Sequence, residues 1–288
     1  MHYNVQRCEF SLILLSKHFV ILQLMSDQIT SPQNPKIKNL ILLQQKSRER
    51  RKQNLVVVEG LRETGIAVSN GFVIAELFVC QEIAHEGDYK SIAADAKITF
   101  VSRPVFEKLA YREGSDGCIA LLIPRWLKIT DVKLRSKPLV IVLESVEKPG
   151  NMGAILRTAD AVNADAVIVC DPLTDIYNPN VIRSGVGCVF SRQVVACSTL
   201  EAQQWLKENG VRSFAAELKA STHYHTHDYR GAVAFVMGTE ADGLTPAWLD
   251  FCDERIIIPM LGSIDSLNVS VSTAVLVFEA MRQRGFSL

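Results

Sequence analysis

The 288-residue chain has no C-x-x-C pair, no G-x-G-x-x-G loop, no internal repeat and no low-complexity tract. Its seven cysteines (8, 80, 118, 170, 188, 197 and 252) are odd in number and scattered, unlike a disulfide framework or a zinc ribbon. Several lie in apolar strand-like runs, as Cys170 does in Ala-Val-Ile-Val-Cys, and read as buried free thiols of a protein from a reducing cytoplasm. The missing glycine fingerprint disfavours a nicotinamide-type dinucleotide site. The apolar stretch from Cys8 to Met25 is broken by Lys17 and His18, so neither half crosses a bilayer, and no small-residue cleavage site follows it. We expect the natural start at Met25, with residues 1–25 outside the folded protein; the intact mass of the native protein tests this.

Net charge is also absent, with 31 Lys+Arg against 31 Asp+Glu, but the balance is uneven along the chain. Residues 26–137 carry 18 basic against 13 acidic side chains, and residues 138–288 carry 11 against 17. A basic first half suggests contact with a polyanion. Its most basic part runs from Asn34 to Arg62, where Lys36, Lys38, Lys46, Arg48, Arg50, Arg51, Lys52 and Arg62 meet only Glu49 and Glu59.

A hydrophobic content of 48% is that of a globular protein. Helical spacing at Ile37, Leu40 and Ile41, a strand at 55–58, a helix to Ala67, and strands at 76–80, 98–101 and 119–123 predict a small α/β domain over residues 26–123. Residues 124–137 lack periodicity and read as a linker. Over residues 138–288, apolar strands at 138–146, 166–170, 193–196, 213–216, 232–237 and 256–259 alternate with helices at 152–163, 179–187, 199–209 and 269–284. That alternation predicts a parallel sheet covered on both faces.

Three blocks concentrate polar chemistry at strand ends. In Glu147-Lys-Pro-Gly-Asn151-Met-Gly153-Ala-Ile-Leu-Arg157, Pro149 and the glycines allow a tight turn with Asn151 as a helix cap. Arg157 alone would read as a surface arginine, but its neighbours Ile155, Leu156 and Ala159 imply a largely buried helix. Glu240 stands between Gly238 and Gly243, where glycines permit close backbone approach to a ligand. The third block, Ile256 to Glu279, leads past Pro259 to Ser266 and Asn268 at the start of the last helix, where caps and ligand sites share geometry. Asn178, before Pro179, reads as a further cap, with Asn180 beside it. His223, His225 and His227 would share a face in a strand and so bind metal, but no acidic or cysteine ligands accompany them.

In order and spacing, these blocks resemble the three motifs of the SpoU (TrmH-type) RNA ribose 2′-O-methyltransferases of the SPOUT superfamily, over roughly residues 33–285. The resemblance implies an α/β fold: a knotted, Rossmann-like parallel sheet (a trefoil knot) preceded by a small ribosomal-protein-like RNA-binding domain. It implies S-adenosylmethionine as cofactor, held at Gly238, Ile258, Met260 and Leu267, and a catalytic set of Arg157, Glu240, Ser266 and Asn268. RNA would meet Asn151 and the basic residues Lys36, Lys38, Arg48, Arg51 and Arg62, with no metal required. Asn178 and Asn180 match a family segment near the pocket. The family also implies a cytoplasmic homodimer, without membrane attachment, joined through the apolar last helix. Ribosomal RNA is the favoured substrate and transfer RNA the alternative. Departures are Asn163 in place of a common glycine and the loose Gly185–Gly187 segment. Two other readings stay open: a non-catalytic RNA-binding or assembly protein, and a different Rossmann-like enzyme, for which Pro149–Gly153 is too short a phosphate loop.

Overall fold

The computed structural model describes residues 28–287 except 94, 112, 113 and 240; the expected extension over residues 1–25 and the glutamate Glu240 therefore lie outside the described residues. Helix α1 (Pro35–Gln45) begins where Asn34 accepts the Lys36 amide at 2.9 Å and Pro35 takes the first helical position. After α2 (Ser47–Gln53), Asn54 turns the chain in the left-handed conformation, φ 52°. There follow β1 (Val56–Glu59), α3 (Leu61–Ser69), β2 (Val73–Val79), α4 (Glu86–Ile92), β3 (Lys97–Phe100), α5 (Arg103–Leu109) and β4 (Cys118–Ile123). The sheet order is β1-β4-β2-β3, antiparallel except for the parallel β2–β3 pair.

The second unit comprises β5 (Leu139–Glu144), α6 (Pro149–Ala161), β6 (Ala166–Cys170), α7 (Pro179–Ser184), β7 (Val194–Cys197), α8 (Thr199–Glu208), β8 (Arg212–Ala216), β9 (Thr222–His223), β10 (Val233–Met237), α9 (Pro246–Phe251), β11 (Glu254–Ile257) and α10 (Val269–Gln283). Its strands are parallel, in the order β7-β6-β5-β10-β8-β11-β9. Strand alternation divides the core as a doubly covered sheet requires. Leu139, Ile141 and Leu143 of β5 pack with Ile155 and Leu156 of α6 and Leu276 of α10, while Val140 and Val142 face Trp205 of α8 and Trp248 of α9. Among the described residues no helix is long and apolar enough to cross a membrane.

Several expectations change. Helix α6 starts at Pro149, so Asn151 lies in its first turn and does not cap it. Strand β11 ends two residues before Pro259, and α9 went unread because six residues behind a proline offer no periodicity. Residues 224–226 form a 3-10 turn, which breaks the alternation of the histidines: His227 meets the buried Phe214 ring, while His223 and His225 lie beside each other. Among the described residues no three metal-ligating side chains cluster. The described cysteines are free, and Cys80, Cys118, Cys170 and Cys188 are buried. Asn163 adopts the left-handed conformation expected of it, φ 48°.

The segment 124–137 is a packed strap. Ile129, Val132 and Leu134 lie against the core beneath α8, and Arg135 binds Asp165 at 2.8 Å. Burial pushes the Asp165 carboxyl up, but the Arg135 guanidinium and the amides of Arg135 and Leu139 outweigh it and hold the carboxyl below its ordinary value. The two units share one continuous core. Arg50 of α2, 1% exposed, reaches Asp175 ahead of α7 at 2.6 Å and donates to the Leu43 and Gln44 carbonyls that end α1. Phe72 stacks edge-on against Phe190 at 4.9 Å, and a Cβ on Gly187 (φ +80°) would stand 3.1 Å from Glu63 Cα.

Candidate active site

In an open parallel sheet, ligands bind beyond the carboxyl ends of strands where the order reverses. Here β10 lies between β5 and β8, and β11 beyond β8. The loops leaving β8, β10 and β11 surround a cavity of about 550 Å³, within the ordinary range for small-molecule sites. Met237, Leu244, Ile256, Leu267 and Leu276 give it apolar walls, and Lys148, Glu217, Lys219 and Asp242 bring charge to its edge.

The loop after β10 is folded tightly on itself. Thr239 and Gly243 exchange backbone hydrogen bonds at 3.0 and 3.2 Å, and the Asp242 amide donates to Thr239 Oγ1 at 3.0 Å. A Cβ on Gly238 would overlap the backbone of Gly243 and Leu244, so only glycine lets the loop close. Its far end is pinned by Glu144, 4% exposed at the end of β5, which accepts the Thr245 amide at 2.8 Å and the Thr245 hydroxyl at 2.6 Å.

Of the residues expected at the site, Gly238, Ile258, Met260, Ser266, Leu267 and Asn268 all line this cavity. Asn268 caps α10, accepting the Ser270 amide at 2.9 Å and the Ser270 hydroxyl at 2.6 Å. Its own amide donates to Asn151 Oδ1 at 3.1 Å, which ties the cavity rim to the first turn of α6. Among the described residues Ser266 caps no helix, and its hydroxyl reaches only Asp265, at 3.4 Å. Asn178 caps α7 through the Asn180 amide.

Arg157 lies outside the cavity wall, on the exposed face of α6 rather than the buried one, and makes no hydrogen bond or ion pair among the described residues. Gly153, one turn earlier, is where α6 crosses α7: a Cβ there would press on Ser184, Gly185 and Val181. Burial pushes the nearby Cys188 thiol up, and Asp160 adds to this, while Arg157, Arg192 and Arg62 pull against it. Arg62 of the first unit and Arg157 of the second therefore act on one neighbourhood. Lys38, Arg48, Arg51 and Arg62 are exposed as an RNA contact requires. Lys36 is different: its ammonium binds Glu76 at 2.5 Å and Thr99, so it serves the first sheet.

Glu217, Leu218 and Lys219 behind β8, and Thr239 and Asp242 within the second block, also line the cavity, though no motif singles them out. The rule that sites gather at strand carboxyl ends pointed to the first three, since β8 itself was legible.

Comparison with known proteins agrees with this geometry. Residues 138–278 match the model of the SpoU rRNA Methylase family, and residues 34–120 match the MRM3-like substrate binding domain. The chain is 34% identical over 203 residues to the 23S rRNA (guanosine-2′-O-)-methyltransferase RlmB of Haemophilus ducreyi, covering 64% of this chain and 78% of that one. It is similar to the crystal structure of an RNA 2′-O ribose methyltransferase, with TM-score 0.79 and 37% identity, over 89% of this chain and 99% of the other. An AdoMet-bound rRNA methyltransferase from Sinorhizobium meliloti aligns at TM-score 0.81 and 27% identity, over 88% and 97% of the two chains. With its three blocks around one cavity and this likeness across both units, the chain belongs to the SpoU rRNA methylase family.

Proposed function

We propose that the chain transfers a methyl group from S-adenosylmethionine to a ribose 2′-hydroxyl of ribosomal RNA, the substrate class in its relatives' names. The observation that carries this reading is the Asn268–Asn151 contact, which joins the cavity of the β10 and β11 loops to the helix bearing the exposed Arg157. The cavity suits S-adenosylmethionine in size and lining: apolar walls for the adenine, charged groups at the edge for the amino-acid end. Gly238, Ile258, Met260 and Leu267 would hold it. When bound, the cofactor supplies an electrophilic methyl group on a sulfonium.

The chain's own residues then align the hydroxyl and stabilise the charge that develops on it. Arginine is a poor general base, since its pKa exceeds about 12. Arg157 instead binds the phosphate beside the reacting ribose and stabilises the developing alkoxide. Asn268 and Asn151 orient the ribose at the rim, Ser266 contributes its hydroxyl there, and Glu240 orients the guanidinium. Lys38, Arg48, Arg51 and Arg62 grip flanking phosphates, which makes RNA affinity strongly salt-dependent.

The finer architecture follows the family. Residues 26–123 form a ribosomal-protein-like RNA-binding domain and residues 138–288 the methyltransferase domain, joined by the strap. Insertion of β10 between β5 and β8, and of β11 between β8 and β9, supports a trefoil knot closed by α10. Val271 and Phe278, 47% and 44% exposed on α10, support a homodimer through that helix. The enzyme acts in the cytoplasm.

Gly238→Ala is expected to lower S-adenosylmethionine affinity by at least about tenfold, and stability by about 1–3 kcal/mol, because the added methyl meets backbone. Calorimetric titration of the cofactor checks this; unchanged affinity would mean the loop can shift without cost. The reading as a whole is tested by incubating the protein and labelled cofactor with ribosomal RNA and with transfer RNA. Label in the ribosomal pool alone supports it; label in transfer RNA alone would transfer the activity to that substrate.

A further inference from the structure

Of the chain's three tryptophans, Trp205 and Trp248 are buried, whereas Trp126, on the strap between β4 and β5, is 40% exposed. A single exposed aromatic is unremarkable by itself. This one is held in place from three sides. Its Nε1 donates to Asn54 Oδ1 at 3.0 Å, the left-handed residue that ends α2. It packs steeply against Tyr177, ring centroids 5.1 Å apart, and Tyr177 is itself fixed by donating its hydroxyl to the Arg125 carbonyl at 2.7 Å and by stacking on Phe190. The Arg51 guanidinium lies over the indole, 5.6 Å from the ring centroid. Arg48, Arg51 and Lys52, all exposed on α2, form no ion pair among the described residues.

A fixed, half-open aromatic ring with Arg51 over it and the exposed cations of α2 on the same element suits an unpaired nucleotide: ring surface for the base and charge for neighbouring phosphates. We propose that Trp126 is a stacking platform for an unpaired base of the RNA substrate, with Arg51 and Lys52 on the flanking phosphates. The proposal rests on the reading of the chain as an RNA methyltransferase. Tyr177 adjoins Asn178, the cap of α7, and α7 crosses α6 at Gly153. A base stacked on Trp126 is therefore held at a set position relative to Arg157, and the platform selects RNA whose reactive ribose has a single-stranded neighbour.

All three indoles emit, but Trp205 and Trp248 are buried, so quenching by bound RNA reports chiefly on Trp126. Titration with single-stranded oligouridylate is expected to quench emission in the wild-type protein, with the quenching lost in Trp126→Phe. In methyl transfer to ribosomal RNA, Trp126→Leu is expected to raise KM about tenfold at unchanged kcat, while Trp126→Phe, which keeps a ring against Tyr177, stays within about threefold of wild type. Absence of quenching, or a wild-type KM in Trp126→Leu, overturns the proposal. Emission that follows protein concentration and ignores RNA would make the ring a self-association contact and overturns it equally. Should the wild-type protein methylate no RNA, the function proposed above fails and the quenching titration alone decides the role of Trp126.

Discussion

Replacing Arg157 with alanine is expected to lower kcat for methyl transfer by about 10²–10³, the usual cost of removing one preorganised donor from a developing oxyanion. The fold should scarcely respond. Arg157 is exposed and makes no hydrogen bond or ion pair among the described residues, so stability should stay within about 0.5 kcal/mol of wild type. Cofactor affinity should also hold, because Arg157 is not part of the cavity wall. Arg157→Lys keeps the charge but loses the planar fork and should recover only part of the rate. Single-turnover kinetics with saturating cofactor separates these effects. A rate within about fivefold of wild type in Arg157→Ala would remove this residue from the mechanism.

The second large effect concerns the junction of the two units. Arg50→Ala is expected to destabilise the protein by about 3–5 kcal/mol, because it leaves the Asp175 carboxylate buried without its counter-charge and strips the end of α1 of its capping donor. Asp175→Ala should cost a similar amount. The double change Arg50→Met with Asp175→Leu should cost much less than Arg50→Met and Asp175→Leu summed, since an apolar pair avoids both desolvation penalties. Urea denaturation of the wild type, these two singles and the double variant closes the cycle. Additive losses would mean that the pair is not coupled and that the units are joined by the surrounding apolar contacts alone.

Arg50 also illustrates how far local sequence reaches. In the run from Asn34 to Arg62 it is chemically indistinguishable from Arg48 and Arg51, yet it is buried while they are exposed. The partner that decides this, Asp175, lies 125 residues away. Lys36 is claimed by Glu76 in the same manner, over 40 residues. By contrast, β5, β6 and β10 were legible because parallel strands buried on both faces must be continuously apolar. Their lateral order was not, because nothing in Val233–Met237 records that it slots between β5 and β8. Gly238, Leu267 and Asn268, expected from the resemblance to family motifs, line the cavity. Ser266 and Asn268 looked equivalent as small polar residues at a helix start, but only Asn268 meets the Ser270 amide. The burial inferred for α6 was correct for Ile155, Leu156 and Ala159, and Arg157 simply occupies the other face.

The most direct test of the account is to map tritium delivered from labelled S-adenosylmethionine into ribosomal RNA, by digestion to nucleosides and chromatography. Label is expected in one 2′-O-methylated nucleoside, with about 10²–10³-fold less of it delivered by Arg157→Ala over the same interval. Label on a base carbon or nitrogen, or no transfer by a protein that binds the cofactor and folds normally, would contradict it.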